Sequence, residues 1–328
     1  MAQQADVELI ERSDGDSRQA FRADVLRGLS LRQKAVPARW LYDWTGSELF
    51  EEITALPEYY PTRTETALLE AHGSEVADFT GKGRVVVEFG SGSSIKTPIL
   101  LRAIRPFAYV PIDISGDFLR QATQELGARF AGMPILPIEA DFMKPVTLPS
   151  SLHGRPMLGF FPGSTIGNMV PFGAVDLLRS MRRTLGEDAQ LLIGFDRVKD
   201  ISRLVAAYDD AQGVTARFNL NLLERINREL EGSIPVGLFR HVAMWNADWG
   251  RIEMHLEAQA DLSFEVAGRL VFMRGGDTIH TENSHKYRPA EARLLLAAGG
   301  WTQLADWTDP GEDFLIVLAQ AAGDHFAP

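Results

Sequence analysis

The sequence predicts an α/β fold, a doubly wound parallel sheet accompanied by a second, α+β domain. Three observations carry that expectation. From Arg84 to Phe195, short apolar or β-branched runs alternate with helix-period segments, as a parallel sheet with right-handed crossovers requires. The first of those runs, Arg84-Val-Val-Val-Glu88, leads at once into Gly90 and Gly92, and bare backbone ahead of a helix is where such sheets receive a ligand. After Pro235 the texture changes to period-two alternation over residues 239–245, 251–257, 264–272 and 278–285, which reads as antiparallel strands.

The elements follow in order. Residues 17–29 place apolar side chains at helix spacing, and 47–56 form a second amphipathic stretch that Pro57 stops. Pro57-Glu-Tyr-Tyr-Pro-Thr-Arg63 reads as a proline-bracketed loop. Thr62 and Glu65 then have capping-box spacing for a helix reaching about residue 79. Strand 85–88 leads to helix 94–104, strand 108–113 to helix 116–131, and a strand near 135–138 follows. Strand 157–161 leads to helix 172–185 and strand 190–195. Helices over 201–211 and 220–230 precede the antiparallel region. A last helix, 289–298, precedes two runs, 302–307 and 314–319, suited to a closing hairpin of the sheet. The simplest assembly makes residues 83–199 and 287–328 the sheet domain, with 1–82 and 200–286 forming the second domain.

Composition bounds the function. With 45% hydrophobic and 23% charged residues the chain has ample material for a core. A net charge of −11, with no run of Lys and Arg among aromatics, argues against gripping nucleic acid. The absence of cysteine excludes disulfides, thiolate metal sites and a Cys nucleophile. Residues 1–16 are polar and acidic without an apolar signal core, and no segment approaches membrane-span length, so a cytoplasmic chain that avoids membranes is expected. No sustained apolar stripe asks for a second copy, and a monomer is expected.

In doubly wound sheets ligands bind beyond the carboxyl ends of the strands, so strand-end residues are the candidates. Glu88 sits at the end of the first strand, where a carboxylate suits a positively charged group. S-adenosylmethionine, carrying an ammonium and a sulfonium, fits that charge better than a pyrophosphate does. Asp113 ends the second strand at the distance expected of an acid that holds a ribose diol, with a helix N-cap as its structural alternative. Asp141 and Phe142 follow the third strand, where an adenine needs an acceptor and an apolar wall. Lys96, in the first turn after the glycines, is either a contact to the ligand's carboxylate or a solvated helix lysine. The fourth strand ends in Phe161-Pro-Gly-Ser-Thr-Ile-Gly-Asn168, whose small residues allow close approach; Asn168 suits a zwitterionic amino acid or caps the next helix.

Beyond single residues, the chain resembles the histidine-specific N-alpha-methyltransferases of ergothioneine biosynthesis, which use S-adenosylmethionine. The resemblance lies in Leu41-Tyr-Asp43 with Gly46-Ser-Glu-Leu-Phe50, in Pro57-Glu-Tyr-Tyr-Pro-Thr-Arg63, and in Glu88-Phe-Gly-Ser-Gly92 with Lys96-Thr97. It continues through Gly163-Ser-Thr-Ile-Gly-Asn168, Lys199-Asp200, Tyr208-Asp-Asp210, Phe218-Asn-Leu-Asn-Leu222, Glu282-Asn-Ser284 and Lys286-Tyr287. It implies a Rossmann-like class I methyltransferase sheet with an α+β substrate-binding domain. Gly90, Lys96, Asp113, Asp141 and Phe142 would then hold the methyl donor, with Glu88 beside them. Tyr59, Asn168, Tyr208, Glu282 and Ser284 would hold L-histidine, Asn168 and Tyr208 at its carboxylate, and Tyr42, Phe50 and Met254 would complete the wall. Relatives in the same family methylate tryptophan derivatives.

Chemistry favours histidine between those acceptors. An imidazole donates one N–H and accepts at its other nitrogen. Glu282 and Ser284 alternate on one strand and share a face, a suitable clamp for that ring, whereas an indole leaves the carboxylate poorly paired. The sulfonium is already electrophilic, so the protein has to align the reactants and deliver a neutral amine. Tyr42 or Tyr59, or a water they orient, is the route for the proton. Tyr42, Phe50 and Tyr59 offer ring faces to the growing ammonium. His280 and His285 read as surface or pairing residues, not metal ligands. Two readings from other classes remain at this stage, an NAD-dependent oxidoreductase and a non-catalytic S-adenosylmethionine-binding protein.

Overall fold

The computed structural model describes residues 14–92 and 95–323, which divide into two compact units. One comprises residues 61–197 and 287–323, the other residues 14–60 and 198–286. In chain order the elements are α1 (Asp14–Leu29), β1 (Lys34–Ala35), α2 (Trp44–Thr54), α3 (Tyr60–Thr80), β2 (Val85–Phe89), α4 (Thr97–Ile104), β3 (Ala108–Asp113), α5 (Gly116–Arg129), β4 (Ile138–Glu139), β5 (Met157–Phe161), α6 (Pro171–Leu185) and β6 (Gln190–Asp196). There follow α7 (Ile201–Ala206), α8 (Val214–Leu230), β7 (Phe239–Asn246), β8 (Arg251–Ala258), β9 (Leu262–Val266), β10 (Arg269–Met273), β11 (Thr278–His285), α9 (Pro289–Ala298), β12 (Trp301–Thr308) and β13 (Phe314–Ala321).

The first unit is built on a seven-stranded sheet in the order β12-β13-β6-β5-β2-β3-β4. The strands from β6 to β4 run parallel, while β13 is antiparallel to both neighbours. Every residue of β2, β5 and β6 is buried, as expected of strands covered on both faces. Val85, Val87 and Phe89 pack with Leu177 and Met181 of α6 and Leu296 of α9. On the other face Val86 packs with Leu68 and Leu69 of α3 and Leu100 and Leu101 of α4. Chain direction through the sheet reverses between β2 and β5, so the carboxyl ends of these two strands mark the ligand-binding position of a doubly wound sheet.

The second unit holds a four-stranded sheet, β1-β11-β8-β7, and the β9–β10 ribbon. Ile252, Met254, Leu256 and Ala258 of β8 form the inner face, packed with Leu222, Leu223 and Ile226 of α8. β11 contains a bulge. His280 pairs with His255, but two residues later Glu282 pairs with Met254 and Ser284 with Ile252. The extra residue, Thr281, turns everything after it to the opposite face. Glu282 and Ser284 therefore share the inner face with Met254, while His280 lies on the outer face with His255.

Five expectations need correcting. The first helix of residues 62–79 begins already at Tyr60, so Thr62 lies inside its first turn and Glu65 is not a capping-box acid. The unit boundary falls between residues 60 and 61 instead of at 82, because α3 packs Leu68 and Leu69 onto the large sheet. The run 264–272 is two strands, joined through Ala267 (φ 48°) and Gly268 (φ 76°), the two positive-φ positions of a tight hairpin turn. The predicted strand 135–138 shifts to Ile138–Glu139, because Pro137 has no N–H to continue the ladder. Helix α8 starts at Val214, earlier than residue 220, since the Asp210 carboxylate accepts the Val214 and Thr215 N–H groups at 3.0 and 2.7 Å.

Gly194 of β6 leaves room for the Glu65 carboxylate and the Phe314 ring. A Cβ there would meet Glu65 Oε1 at 2.5 Å and Phe314 Cε1 at 2.9 Å. Overpacking of this kind typically costs about 1–3 kcal/mol. Gly194→Ala should lower the urea midpoint accordingly; an unchanged midpoint would show that the strand yields without strain.

Candidate functional site

The carboxyl ends of β2, β3, β4 and β5 bring the strand-end residues together. Gly90 (φ 72°) and Gly92 (φ 45°) both adopt the left-handed backbone that side chains disfavour. The Gly92 N–H donates to Asp113 Oδ2 at 3.1 Å, and Ser115 N–H donates to Oδ1 at 2.9 Å, so the acid after β3 fixes the glycine turn. Burial pushes the Asp113 pKa up, against the pull of the Ser115, Gly92 and Ile114 N–H groups. The Phe142 ring lies over the turn, 3.3 Å from where a Gly90 Cβ would stand, and packs edge-on against Phe89 and Phe161. The Asp141 carboxylate takes the Met143 N–H at 3.1 Å. A bare Cα beneath an aromatic ring, with an acid after each of the next two strands, fits a ribose and adenine. The residues present therefore suit the adenosyl part of S-adenosylmethionine.

Glu88 is placed differently from the expectation. β2 runs one residue past it, and its carboxyl is fully buried on the face shared with α4. Glu88 Oε2 accepts the Thr97 hydroxyl at 2.7 Å and the Tyr109 hydroxyl at 2.6 Å. Burial raises its pKa to about 8 despite these bonds. At neutral pH it is a protonated anchor under the first turn of α4, not a charge presented at the strand tip.

Lys96 is likewise engaged internally. It is nearly buried, its Nζ lies 2.7 Å from Glu65 Oε2, and the same oxygen accepts the Gly163 N–H at 2.8 Å. Glu65 thus ties the glycine-loop lysine to the loop after β5. Beyond Gly163 (φ 81°), Asn168 ends a short 3₁₀ turn, Thr165–Asn168, and is half-buried.

The second unit gathers most of the residues assigned to the amino acid. Tyr42 meets Phe50 and Phe218 edge-on, each at 5.5 Å between ring centroids. Phe50 meets Tyr59 at 6.2 Å, and Tyr59 meets Tyr208 at 6.3 Å. Tyr60, by contrast, turns away and its hydroxyl accepts from Lys199 Nζ at 2.6 Å. Tyr208 and Ser284 are hydrogen-bonded at 2.6 Å between their hydroxyl oxygens. Lys286 donates to both, at 2.9 Å to Tyr208 and 2.7 Å to Ser284. Glu282, two residues before Ser284, is buried on the same face, and Met254 pairs with it across the strands.

On the outer face, Glu253, His255 and His280 bring ligating atoms within 4.8 Å of one another. The His255 and His280 rings stack at 4.6 Å and 16°, and Glu253 is held by Arg251, Asn246 and His255. Although burial opposes it, Arg251 and His255 draw the Glu253 pKa down to about 2. Near-parallel rings cannot both aim an in-plane lone pair at one ion, and Arg251, Asn246 and His255 already engage the Glu253 carboxylate.

Sequence reasoning missed Glu65, Thr97, Tyr109 and Lys286. Glu65 was hidden by its spacing to Thr62, and Tyr109 lies inside a strand where an aromatic reads as core. Lys286 stood in a matched segment, two residues after Ser284, which was signal enough to ask what it touches.

A seven-stranded sheet with one antiparallel strand beside its edge, a positive-φ glycine turn after β2 and acids after β3 and β4 define a class I S-adenosylmethionine-dependent methyltransferase. Residues 21–321 match the family described as histidine-specific methyltransferase, SAM-dependent. The chain belongs to that family. It is 42% identical to a histidine N-alpha-methyltransferase of Mycolicibacterium smegmatis, over 92% of this chain and 95% of the relative. Identity to the Mycobacterium tuberculosis enzyme of the same description is 41%, over 92% and 94%. An ergothioneine biosynthesis protein 1 of Neurospora crassa is 29% identical over 88% of this chain, which spans 33% of that longer protein. Neither the oxidoreductase nor the non-catalytic alternative finds support in these matches. Among the described residues, no helix is long and apolar enough to cross a membrane.

The buried Glu88 makes stability depend on pH. Its pKa is raised from an ordinary 4.5 to about 8, so the folded chain holds the proton more tightly. The contribution is full below about pH 4.5 and is lost as pH rises through about 8, at roughly 1.4 kcal/mol per pH unit at most. Glu88→Gln, which stays neutral, should gain on wild type in melting temperature between pH 6 and 9. Parallel melting curves across that range would exclude a titrating Glu88.

Proposed function

We propose that this chain transfers methyl groups from S-adenosylmethionine to the α-amino nitrogen of L-histidine, giving N,N,N-trimethylhistidine for ergothioneine biosynthesis. The observation that carries the choice of acceptor is the inner-face pair on β11, Glu282 and Ser284, buried beside Met254. Glu282 accepts the ring N–H of the substrate and Ser284 meets its other nitrogen. Tryptophan has an indole N–H but no second polar ring atom to meet Ser284. In this reading an indole leaves the Glu282 carboxylate poorly paired, and a buried charge so left costs several kcal/mol. Asn168 and Tyr208 are assigned to the substrate carboxylate.

Bound S-adenosylmethionine supplies the methyl group on a sulfonium. In this reading Asp113 holds the ribose diol, Asp141 and Phe142 hold the adenine, and Lys96 lies toward the carboxylate end. Gly90 and Gly92 keep the turn free of side chains. The substrate amine must be neutral to react, and Tyr42 or Tyr59, or a water they orient, is the route by which its proton leaves. Their rings, with Phe50, then face the alkylated nitrogen, each ring worth about 0.5–2 kcal/mol to a cation. That tolerance is what allows a second and third transfer at the same nitrogen. The chain is expected to act as a cytoplasmic monomer, without nucleic acid or membrane.

Incubation with S-adenosylmethionine and each of the twenty amino acids, followed by mass spectrometry, should yield mono-, di- and trimethylated histidine. Methylated tryptophan with histidine untouched would sink the proposal. Glu282→Ala should raise the histidine KM at least tenfold while calorimetry finds donor binding unchanged. Asp113→Ala should do the reverse, weakening donor binding about tenfold or more; wild-type donor affinity in that variant would remove the ribose assignment.

A further inference from the structure

His241 stands on the inner face of β7, opposite Leu256 of β8, and has no part in the function as stated so far. Its Nε2 lies 2.7 Å from the backbone carbonyl of Tyr208, in the turn after α7. Its Nδ1 lies 2.9 Å from Nδ2 of Asn219, a fully buried residue of α8. The same Asn219 Nδ2 donates to the His255 carbonyl of β8 at 3.1 Å. This chain of contacts begins and ends on backbone carbonyls.

Carbonyl oxygens only accept, and that fixes the polarity of everything between them. The His255 carbonyl requires the amide nitrogen of Asn219 on its side. The amide is turned this way although its Oδ1 is then buried without a donor among the described residues, because the reverse sets two carbonyl oxygens face to face. The second hydrogen on Nδ2 then points at His241 Nδ1, which must be bare. The Tyr208 carbonyl independently requires a hydrogen on Nε2. Both ends therefore select one species, the neutral ring protonated at Nε2. A second ring proton, on Nδ1, would meet an amide N–H head-on. Burial acts in the same direction and lowers the His241 pKa, the Tyr208 carbonyl, Asp209 and Asp210 opposing it and the nearby His255 adding to it.

We propose that His241 is a positioning residue which, as the neutral Nε2–H tautomer fixed by Asn219, holds Tyr208 for the amino-acid substrate. The inference rests on the reading in which Tyr208 meets the carboxylate of L-histidine. At its far end Tyr208 is met by Ser284 and Lys286, both of which reach its hydroxyl. The bond from His241 to its carbonyl fixes the backbone from which the ring extends. Asp210 anchors the next part of the turn by capping α8 at Val214 and Thr215, so residues 208–210 are tied both to the sheet and to the helix. His241 acts through Tyr208, so its effect falls on histidine binding and not on the donor.

The test uses the whole enzyme with S-adenosylmethionine and L-histidine. Glutamine reproduces the order of donor and acceptor, with an Nε2–H for Tyr208 and Oε1 for the Asn219 amide. Methionine fills the space with neither, and lysine can only donate. His241→Met and His241→Lys should raise the histidine KM about three- to tenfold, the share of one lost hydrogen bond, with kcat and calorimetric donor affinity near wild type. His241→Gln should bring the KM back to within about twofold of wild type. A wild-type KM in His241→Met overturns the proposal, and so does a glutamine variant no better than methionine. The ring is also read in the unaltered enzyme, labelled with nitrogen-15 histidine. At about pH 6, where an ordinary histidine is mostly charged, long-range proton–nitrogen correlation should show a neutral Nε2–H ring whose signals vanish in His241→Gln. An imidazolium pattern for that ring overturns the proposal whatever the variants do. If wild type methylates no histidine, the functional reading falls and this inference with it; a histidine-methylating enzyme indifferent to His241 removes the inference alone.

Discussion

The candidate substrate face of this protein depends on one extra residue in one strand. Thr281 interrupts the pairing of β11 with β8, and its hydroxyl donates to the Met254 carbonyl at 3.1 Å while its side chain is buried. Were the register continued from His280, Glu282 and Ser284 would join His280, His255 and Glu253 on the outer, ionic face. The bulge places them instead on the inner face, opposite Met254 and Ile252. A carboxylate and a hydroxyl on an otherwise apolar face are expensive to bury unless something polar completes them. Tyr208 and Lys286 complete Ser284 from within the protein, and Glu282 lies buried on the same face.

Much of this was legible in the sequence, and what was not has identifiable reasons. The alternation after Arg84 and the glycine turn located the sheet and its ligand edge, because period and bare backbone are local signals. Asp113 ends its strand and Asp141 and Phe142 follow the next, as expected, and Phe50 of α2 does meet Tyr59, which in turn meets Tyr208. The bulge at Thr281 left no such trace. A one-residue slip keeps the composition of a strand while exchanging its faces, so only the pairing partner reveals it. Glu65 was misread for a related reason. Its spacing to Thr62 satisfies a local capping rule, but the helix starts two residues earlier and tertiary contacts claim the side chain.

Three ionisable side chains packed near the glycine turn show how the first unit solves the opposite problem. Glu65, Glu88 and Lys96 are all buried, and two carboxylates with one ammonium would leave a net charge away from water. Glu65 pairs with Lys96 at 2.7 Å. Glu88 receives the Thr97 and Tyr109 hydroxyls, and burial together with the Glu65 charge keeps its proton on to about pH 8, although Lys96 opposes this. The set is neutral as a whole. Ion pairing and protonation thus achieve for two neighbouring acids what hydrogen bonding alone does not.

That neutrality changes what the glycine-turn motif says about its ligand. A charged carboxylate at the strand tip was the sequence argument for a cationic cofactor, and the protonated, inward-facing Glu88 no longer supplies it. The preference for S-adenosylmethionine over a dinucleotide rests instead on other features. Phe142 closes over Gly90 where a pyrophosphate turn would need open backbone, and the acids after β3 and β4 match a nucleoside without phosphates. Glu88 still matters to that site, indirectly. By holding Thr97 and Tyr109 it fixes the first turn of α4, the helix whose N-terminal Lys96 reaches Glu65 and, through it, the Gly163 loop that leads to Asn168.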